Sequence, residues 1–306
     1  MTLVRNLLLR ASRSQWLAAQ LRHRAFFRRA VRRFMPGEDL ASALAAAREF
    51  AAAGIGSVLT ELGEQVLSRT DADGVRHHYH DVLDQVGAAG LPAQISVKLT
   101  HLGLDLEPGT CLANVRSLAA HATETGNFVW IDIEESRYVD ATLELFRRVR
   151  TERANVGVCL QAYLRRTPAD LDALLPLRPA IRLVKGAYNE PPHIALPRKA
   201  DVDAQYFKLA GRLLERVPQG ARPVFGTHDL MLMARIRAHA DTLGVPRPSY
   251  EFHMLYGIRA AEQRGLAATG ATVRVLISYG SAWFAWYLRR LAERPANLWF
   301  VVRNLV

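Results

Sequence analysis

The chain is 306 residues long, 50% hydrophobic and 23% charged, a balance that excludes disordered, collagen-like and low-complexity classes. Two cysteines, Cys111 and Cys159, are too few for a disulfide framework or a multi-cysteine zinc site, and no apolar run reaches the roughly 20 residues of a membrane span. The net charge of +11 is concentrated: nine of the 40 basic residues are arginines between Arg5 and Arg33, the first acid is Glu38, and the remaining 31 basic residues face 29 acids.

Residues 1–53 therefore read as a basic amino-terminal helical arm, with residues 37–53 as its last helix. Three readings of the basic segment 1–35 stand side by side. It packs Leu7, Trp16, Leu21 and Phe26 on the body and turns its arginines to water. It lies on an anionic membrane surface. Or it is a targeting presequence, which shares its Arg-rich, acid-free composition. The body is nearly neutral, which argues against nucleic acid as its partner.

From residue 54 a pattern repeats: a short β-rich run, then a longer helical stretch. The β-rich runs are GIGSVLTEL (54–62), AQISVKLT (93–100), FVWIDIE (128–134), NVGVCLQAYL (155–164), IRLVKGAY (181–188), RPVFGTHD (222–229), YEFHML (250–255) and TVRVLISYG (272–280). Most are near-continuously apolar, as strands buried on both faces are. Between them, 111–124, 136–152, 201–216 and 230–243 have helical spacing. Ser136, Pro168 with Asp170, and Asp229 signal helix starts. Gly126, Gly220 and Gly270 mark the returns.

Eight alternating units predict an α/β fold, a (β/α)8 TIM barrel over residues 54–306. An open doubly wound sheet would call for a GxGxxG turn after the first strand, which is missing. The tail LWFVVRNLV (298–306) is expected to pack on the body.

In such a barrel, reactive groups come from the carboxyl ends of strands. Those positions hold Glu61 and Glu64; Lys98 and His101; Asp132, Glu134 and Glu135; Gln161; Arg182 and Lys185; Thr227, His228 and Asp229; Glu251 and His253; and Tyr279. Polar side chains inside apolar strands are costly unless paired or used. Lys98, one of four lysines against 36 arginines, reads either as a structural ion pair with Asp132 or as a working cation. No HExxH or comparable spacing supports a metal, and no GxSxG elbow supports a nucleophilic hydrolase. Arg289 and Arg290, in WFAWYLRRLAE, sit on an otherwise aromatic and apolar helix, a setting for an anion in a partly dry pocket.

Seven segments, SVKLTHLG (96–103), WIDIEES (130–136), GVCLQAYLRRT (157–167), RLVKGAYNEP (182–191), GTHD (226–229), YEFHMLYGIR (250–259) and RRLAERPAN (289–297), together resemble the flavin-dependent proline dehydrogenase family in its short monofunctional bacterial form. The similarity runs from about residue 38 to the end. It implies a distorted (β/α)8 barrel with an amino-terminal helical arm, and FAD bound without a dinucleotide fingerprint. By motif, Ile133, Gln161, Val184, Lys185, Gly186, Thr227 and His228 would hold the flavin, and Arg182 would lie near its N5. Lys98, Arg289 and Arg290 would grip the amino acid carboxylate, since guanidinium forks match it bidentately. Asp132 would balance Lys98, and Glu64 would close the site by pairing with Arg290. Leu255, Leu276 and Trp286 would line the substrate. The implied reaction is oxidation of L-proline to 1-pyrroline-5-carboxylate by hydride transfer to flavin N5.

The resemblance also implies electron delivery to a membrane quinone, and hence a cytoplasmic protein peripheral at the inner membrane face. The match breaks at three places: Leu276 and Trp286 stand where the family has tyrosines, and His253 where it has glutamine. Loss of a phenol removes a polar handle, and a site built on a hydrogen bond discriminates by roughly 10⁴. A substituted proline or another cyclic or secondary amino acid is therefore the alternative substrate. Two other classes remain: a flavin-free barrel enzyme using Lys185 or Lys98 on an anionic metabolite, and an adaptor acting through its basic arm.

Overall fold

The computed structural model describes residue 31, residues 33–63 and residues 65–283. Within them, eight parallel strands close on themselves in sequence order: β1 (Gly56–Glu61), β2 (Ala93–Val97), β3 (Val129–Ile131), β4 (Val156–Gln161), β5 (Ala180–Val184), β6 (Arg222–Gly226), β7 (Glu251–Leu255) and β8 (Thr272–Tyr279). β1 pairs with β8 from Gly56↔Arg274 to Glu61↔Tyr279, and this ladder closes the barrel. The helices are α1 (Leu40–Ala52), α2 (Arg69–Ala88), α3 (Pro108–Glu124), α4 (Val139–Glu152), α5 (Thr167–Leu174), α6 (Lys199–Leu214), α7 (Leu230–Thr242) and α8 (Ala260–Ala268). The (β/α)8 expectation is met.

Local chemistry sets the helix starts. Asp39, Ser68 and Asp229 cap α1, α2 and α7 by accepting the backbone N–H groups of Ser42, Asp71 and Leu232. Pro108 and Pro168 open α3 and α5, where a missing N–H costs nothing. Ser136 does not cap α4. Its N–H and Oγ both donate to the Glu190 carboxylate, at 2.7 Å each, and α4 begins at Val139 after a single 3₁₀ turn.

Side chains alternate along each strand. One set, including Ile95, Val97, Ile131, Val158, Ile181, Leu183 and Phe225, is buried in the main core with residues of the helices. The other set lines the barrel interior. There Val58, Trp130, Ala180 and Val224 form a separate buried cluster, against which Phe128 and Leu276 pack. Gly157 on β4 makes room for the indole, because a Cβ there would lie 2.5 Å from Trp130 Cζ3.

The strands are shorter than the β-rich runs. β2 ends at Val97 and β3 at Ile131, so Lys98 and Asp132 stand just past the ladders. Glu251 opens β7 rather than closing it, which puts Glu251 at the amino-terminal end of the strand and His253 at its middle, both short of the carboxyl end. α1 lies against β1 and β8. Among the described residues, no helix is long and apolar enough to cross a membrane.

Candidate functional site

Three strands converge on one guanidinium. Arg182 projects from β5 into the barrel, with only 5% of its side chain exposed. Its Nη2 donates to Ser96 Oγ at 2.7 Å and is ion-paired with Asp132 Oδ1. Ser96 Oγ donates to the same carboxylate oxygen at 2.9 Å, closing a triangle. Among the described residues, the other nitrogen, Nη1, is buried without a hydrogen-bond partner. Cys159, in register with Arg182, stays a neutral thiol because burial pushes it up to about 11.

Lys98 follows β2. It is half-buried, and its ammonium makes no ion pair or hydrogen bond among the described residues. The expected Lys98–Asp132 pair is therefore replaced by Arg182–Asp132. The planar fork reaching across from β5 engages carboxylate and hydroxyl together, which a point charge on a flexible stem matches less well.

A second group follows β4, β5 and β6. Gln161 Nε2 donates to the Glu134 carbonyl at 3.2 Å, while its Oε1 is buried without a partner among the described residues. The Glu134 carboxylate accepts Thr100 N–H at 3.1 Å and Thr100 Oγ at 2.7 Å, which fixes the loop after β2. Gly186 has φ +111°, and a Cβ there would lie 2.1 Å from Tyr163 Cδ1, so only glycine fits this backbone and this contact. Lys185 Nζ donates to Asp203 at 2.5 Å and to Asp229 at 2.9 Å. The bond from Lys185 holds the Asp229 carboxyl below its ordinary range. Thr227 Oγ1 accepts the Asp229 N–H at 3.2 Å. His228 Nε2 accepts the Leu255 N–H at 2.8 Å, which leaves Nδ1 as the protonated nitrogen of the neutral ring.

The structure thus joins Asp132 to Arg182 and His228 to Leu255. Ile133 is buried beside Asp132, and Val184 pairs with Gly226 between Gln161 and the β6 end. Leu276, half-buried, packs on the interior cluster around Trp130. Glu64, Trp286, Arg289 and Arg290, the tail, and the basic segment up to residue 30 lie outside the described residues. Three participants were missed by sequence reasoning. Ser96 and Trp130 were legible as the i−2 neighbours of Lys98 and Asp132, because period-two alternation puts them on the same interior face. Asp203 carried no such signal, since α6 brings it to Lys185 from 18 positions away.

A lower polar group shares the same interior. Glu251 accepts from Arg222 (Nε 2.8 Å), Arg274 (Nε 2.8 Å) and His253 (Nε2 3.3 Å). Burial alone would raise its carboxyl. The His253 bond and the two arginine charges outweigh burial and hold it well below the usual range. Burial lowers His253 to about 4, so its ring is neutral.

Comparison with known proteins places this geometry. The profile of the family described as Proline dehydrogenase matches residues 43–303. The chain is 37% identical over 279 residues to a proline dehydrogenase of Deinococcus radiodurans, covering 90% of this chain and 89% of that one. It is 32% identical over 276 residues to proline dehydrogenase 1 of Bacillus subtilis, covering 90% of each. Among solved structures, proline utilization A of Bdellovibrio bacteriovorus, inactivated by N-propargylglycine, superposes with a TM-score of 0.82 at 25% identity over 87% of this chain; the chain spans about a third (33%) of that longer protein.

Proposed function

The chain belongs to the proline dehydrogenase family, and from that premise we propose that it oxidises L-proline to 1-pyrroline-5-carboxylate with a bound FAD. The observation that carries this reading is the half-used Arg182: one arm is tied to Asp132 and Ser96, and the other is buried with its hydrogen-bonding capacity unmet. Buried polar groups are nearly always satisfied, so such an orphan points to a ligand.

The residues present fit a flavin. Gln161 offers an orphaned buried acceptor suited to a ring N–H, and Arg182 an orphaned donor suited to a ring nitrogen or oxygen. The Gly186 backbone, free of a Cβ, allows close approach beside Tyr163. Val184, Lys185, Thr227, His228 and Ile133 complete the proposed cradle. When bound, FAD would supply the two-electron acceptor for hydride chemistry at the carbon next to the substrate nitrogen.

The chain's own residues do the rest. Arg182, fixed by Asp132, presents positive charge where negative charge grows during the reaction, a differential stabilisation of the transition state. Lys98, free of an ion pair among the described residues, is available to the substrate carboxylate together with Arg289 and Arg290. Leu255, Leu276 and Trp286 line the substrate, and Glu64 with Arg290 gates it. The substrate amine enters deprotonated. A membrane quinone would be the final electron acceptor, and the basic segment 1–35 would meet the membrane from the cytoplasmic side.

Leu276 favours a second substrate reading. An apolar side chain packed on the interior cluster that includes Trp130 presents no hydroxyl, which suits a substituted proline or another cyclic secondary amino acid. Dye-linked oxidation of proline, 4-hydroxyproline, pipecolate and N-methyl amino acids by the flavin-loaded protein separates the two. The first reading expects the highest kcat/KM on proline, and a preference for another substrate would favour the second. A colourless protein that takes up no flavin would contradict both.

A further inference from the structure

Trp130 is held on every side. Its Nε1 donates to Gln94 Oε1 at 2.8 Å, its ring lies over Gly157 with no room for a Cβ, and Phe128 leans on it with centroids 5.0 Å apart. The His253 ring meets it edge-on at 5.6 Å and 79°. Two guanidiniums lie over the indole, Arg222 at 5.5 Å and Arg182 at 5.2 Å. The indole is therefore the physical link between the lower polar group and the arginine of the proposed site.

His253 is in turn set by Glu251. The 3.3 Å contact requires an Nε2–H donor, and the carboxylate that accepts it is locked by Arg222 and Arg274. This chooses the tautomer and the ring plane, and the ring plane sets the edge that Trp130 meets. Gly226, between β5 and β7 in the ladders, pairs with Val184 on one side and His253 on the other. Having no side chain, it puts no bulk between the Arg182 and His253 sides of the interior.

We propose that His253 is a positioning residue: anchored by Glu251, it fixes Trp130, and through the indole face it fixes the Arg182 guanidinium so that Nη1 stays directed at the bound flavin. The proposal rests on the flavin reading of the site. His253 touches neither substrate nor cofactor; it acts through Trp130. The attraction of a cation to an indole face is directional, so tilting the ring moves the cation. A displacement of about 1 Å from productive geometry costs on the order of 10²-fold in rate.

The test uses the full chain loaded with FAD, and reads the midpoint potential of the bound flavin together with kcat and KM for L-proline. His253→Leu removes the N–H while keeping bulk. It is expected to shift the potential to more negative values, because the reduced ring loses part of its cation, and to lower kcat about 10-fold with KM within about twofold. His253→Gln, whose amide can still donate to Glu251, is expected to recover most of the potential and rate. A His253→Leu protein with wild-type potential and kcat, or one that raises KM alone, would overturn the proposal.

Should His253→Leu fail to fold, Trp130→Phe is the second arm. It keeps an aromatic face but loses the Gln94 anchor, so the same negative shift is expected, and an unchanged potential would overturn the proposal. Wild-type protein that binds no FAD or leaves proline unoxidised would instead break the reading of the site itself.

Discussion

Two buried arginine–carboxylate groups are stacked inside one barrel, and they are finished to different degrees. In the lower group, Glu251 takes two arginines and a histidine, so its carboxylate oxygens are fully engaged. In the upper group, Arg182 uses one nitrogen on Asp132 and Ser96 and, among the described residues, leaves the other buried and unmet, while the Lys98 ammonium past β2 makes no ion pair among them. The chemistry of the groups is the same. The lower carboxylate is fully engaged and only a neutral ring nitrogen beside it, His253 Nδ1, is left buried without a partner among the described residues, whereas the upper group leaves a cationic donor unmet, the costlier vacancy and the one suited to a ligand.

The comparison breaks first at Glu251. Glu251→Gln leaves the half-buried Arg222 and Arg274 without a counter-charge, and is expected to cost about 3 kcal/mol of unfolding free energy, measured by urea denaturation. A loss under about 1 kcal/mol would show that the lower group is not a structural anchor. In the upper group, Arg182→Met is expected to lower kcat about 10²–10³-fold with a smaller stability loss of about 1–2 kcal/mol. Equal damage to stability in both variants would erase the distinction between the groups.

Acid sharpens it further. His253 is lowered to about 4 in the folded chain against an ordinary 6.5, so the unfolded state binds its proton first. This group contributes nothing to pH dependence well above 6.5. As pH falls from 6.5 toward 4 it subtracts stability, up to about 3 kcal/mol. His253→Gln should flatten the thermal midpoint against pH in that window relative to wild type, and a parallel curve would contradict the assignment. The smallest structural effect belongs to Lys98. Lys98→Met breaks no ion pair among the described residues, so stability should stay within about 0.5 kcal/mol while KM for proline rises about 10-fold.

The barrel was legible because eight apolar β-rich runs alternate with helical segments, and that pattern admits few closures. The positions of the upper group were legible from period-two alternation: Lys98, Asp132 and Gln161 stand at or just past strand ends, while Arg182, expected at a strand end, sits in the middle of β5. What sequence could not give was partner choice. Asp132 had two cations in reach, and only the path of the Arg182 side chain across the barrel decides between them. Nor could it show that Glu251 begins its strand, since a run of apolar residues has no internal mark of where pairing starts. The helix expected to begin at Ser136 starts three residues later because Glu190, 54 positions away, claims that serine.

One measurement bears most directly on the upper group: addition of L-proline, without oxygen, to the purified flavin-loaded protein, followed by its visible absorbance. Bleaching of the flavin band with formation of pyrroline-5-carboxylate, abolished in Arg182→Met, is the predicted result. A band that proline leaves unchanged in the wild-type protein would contradict the account.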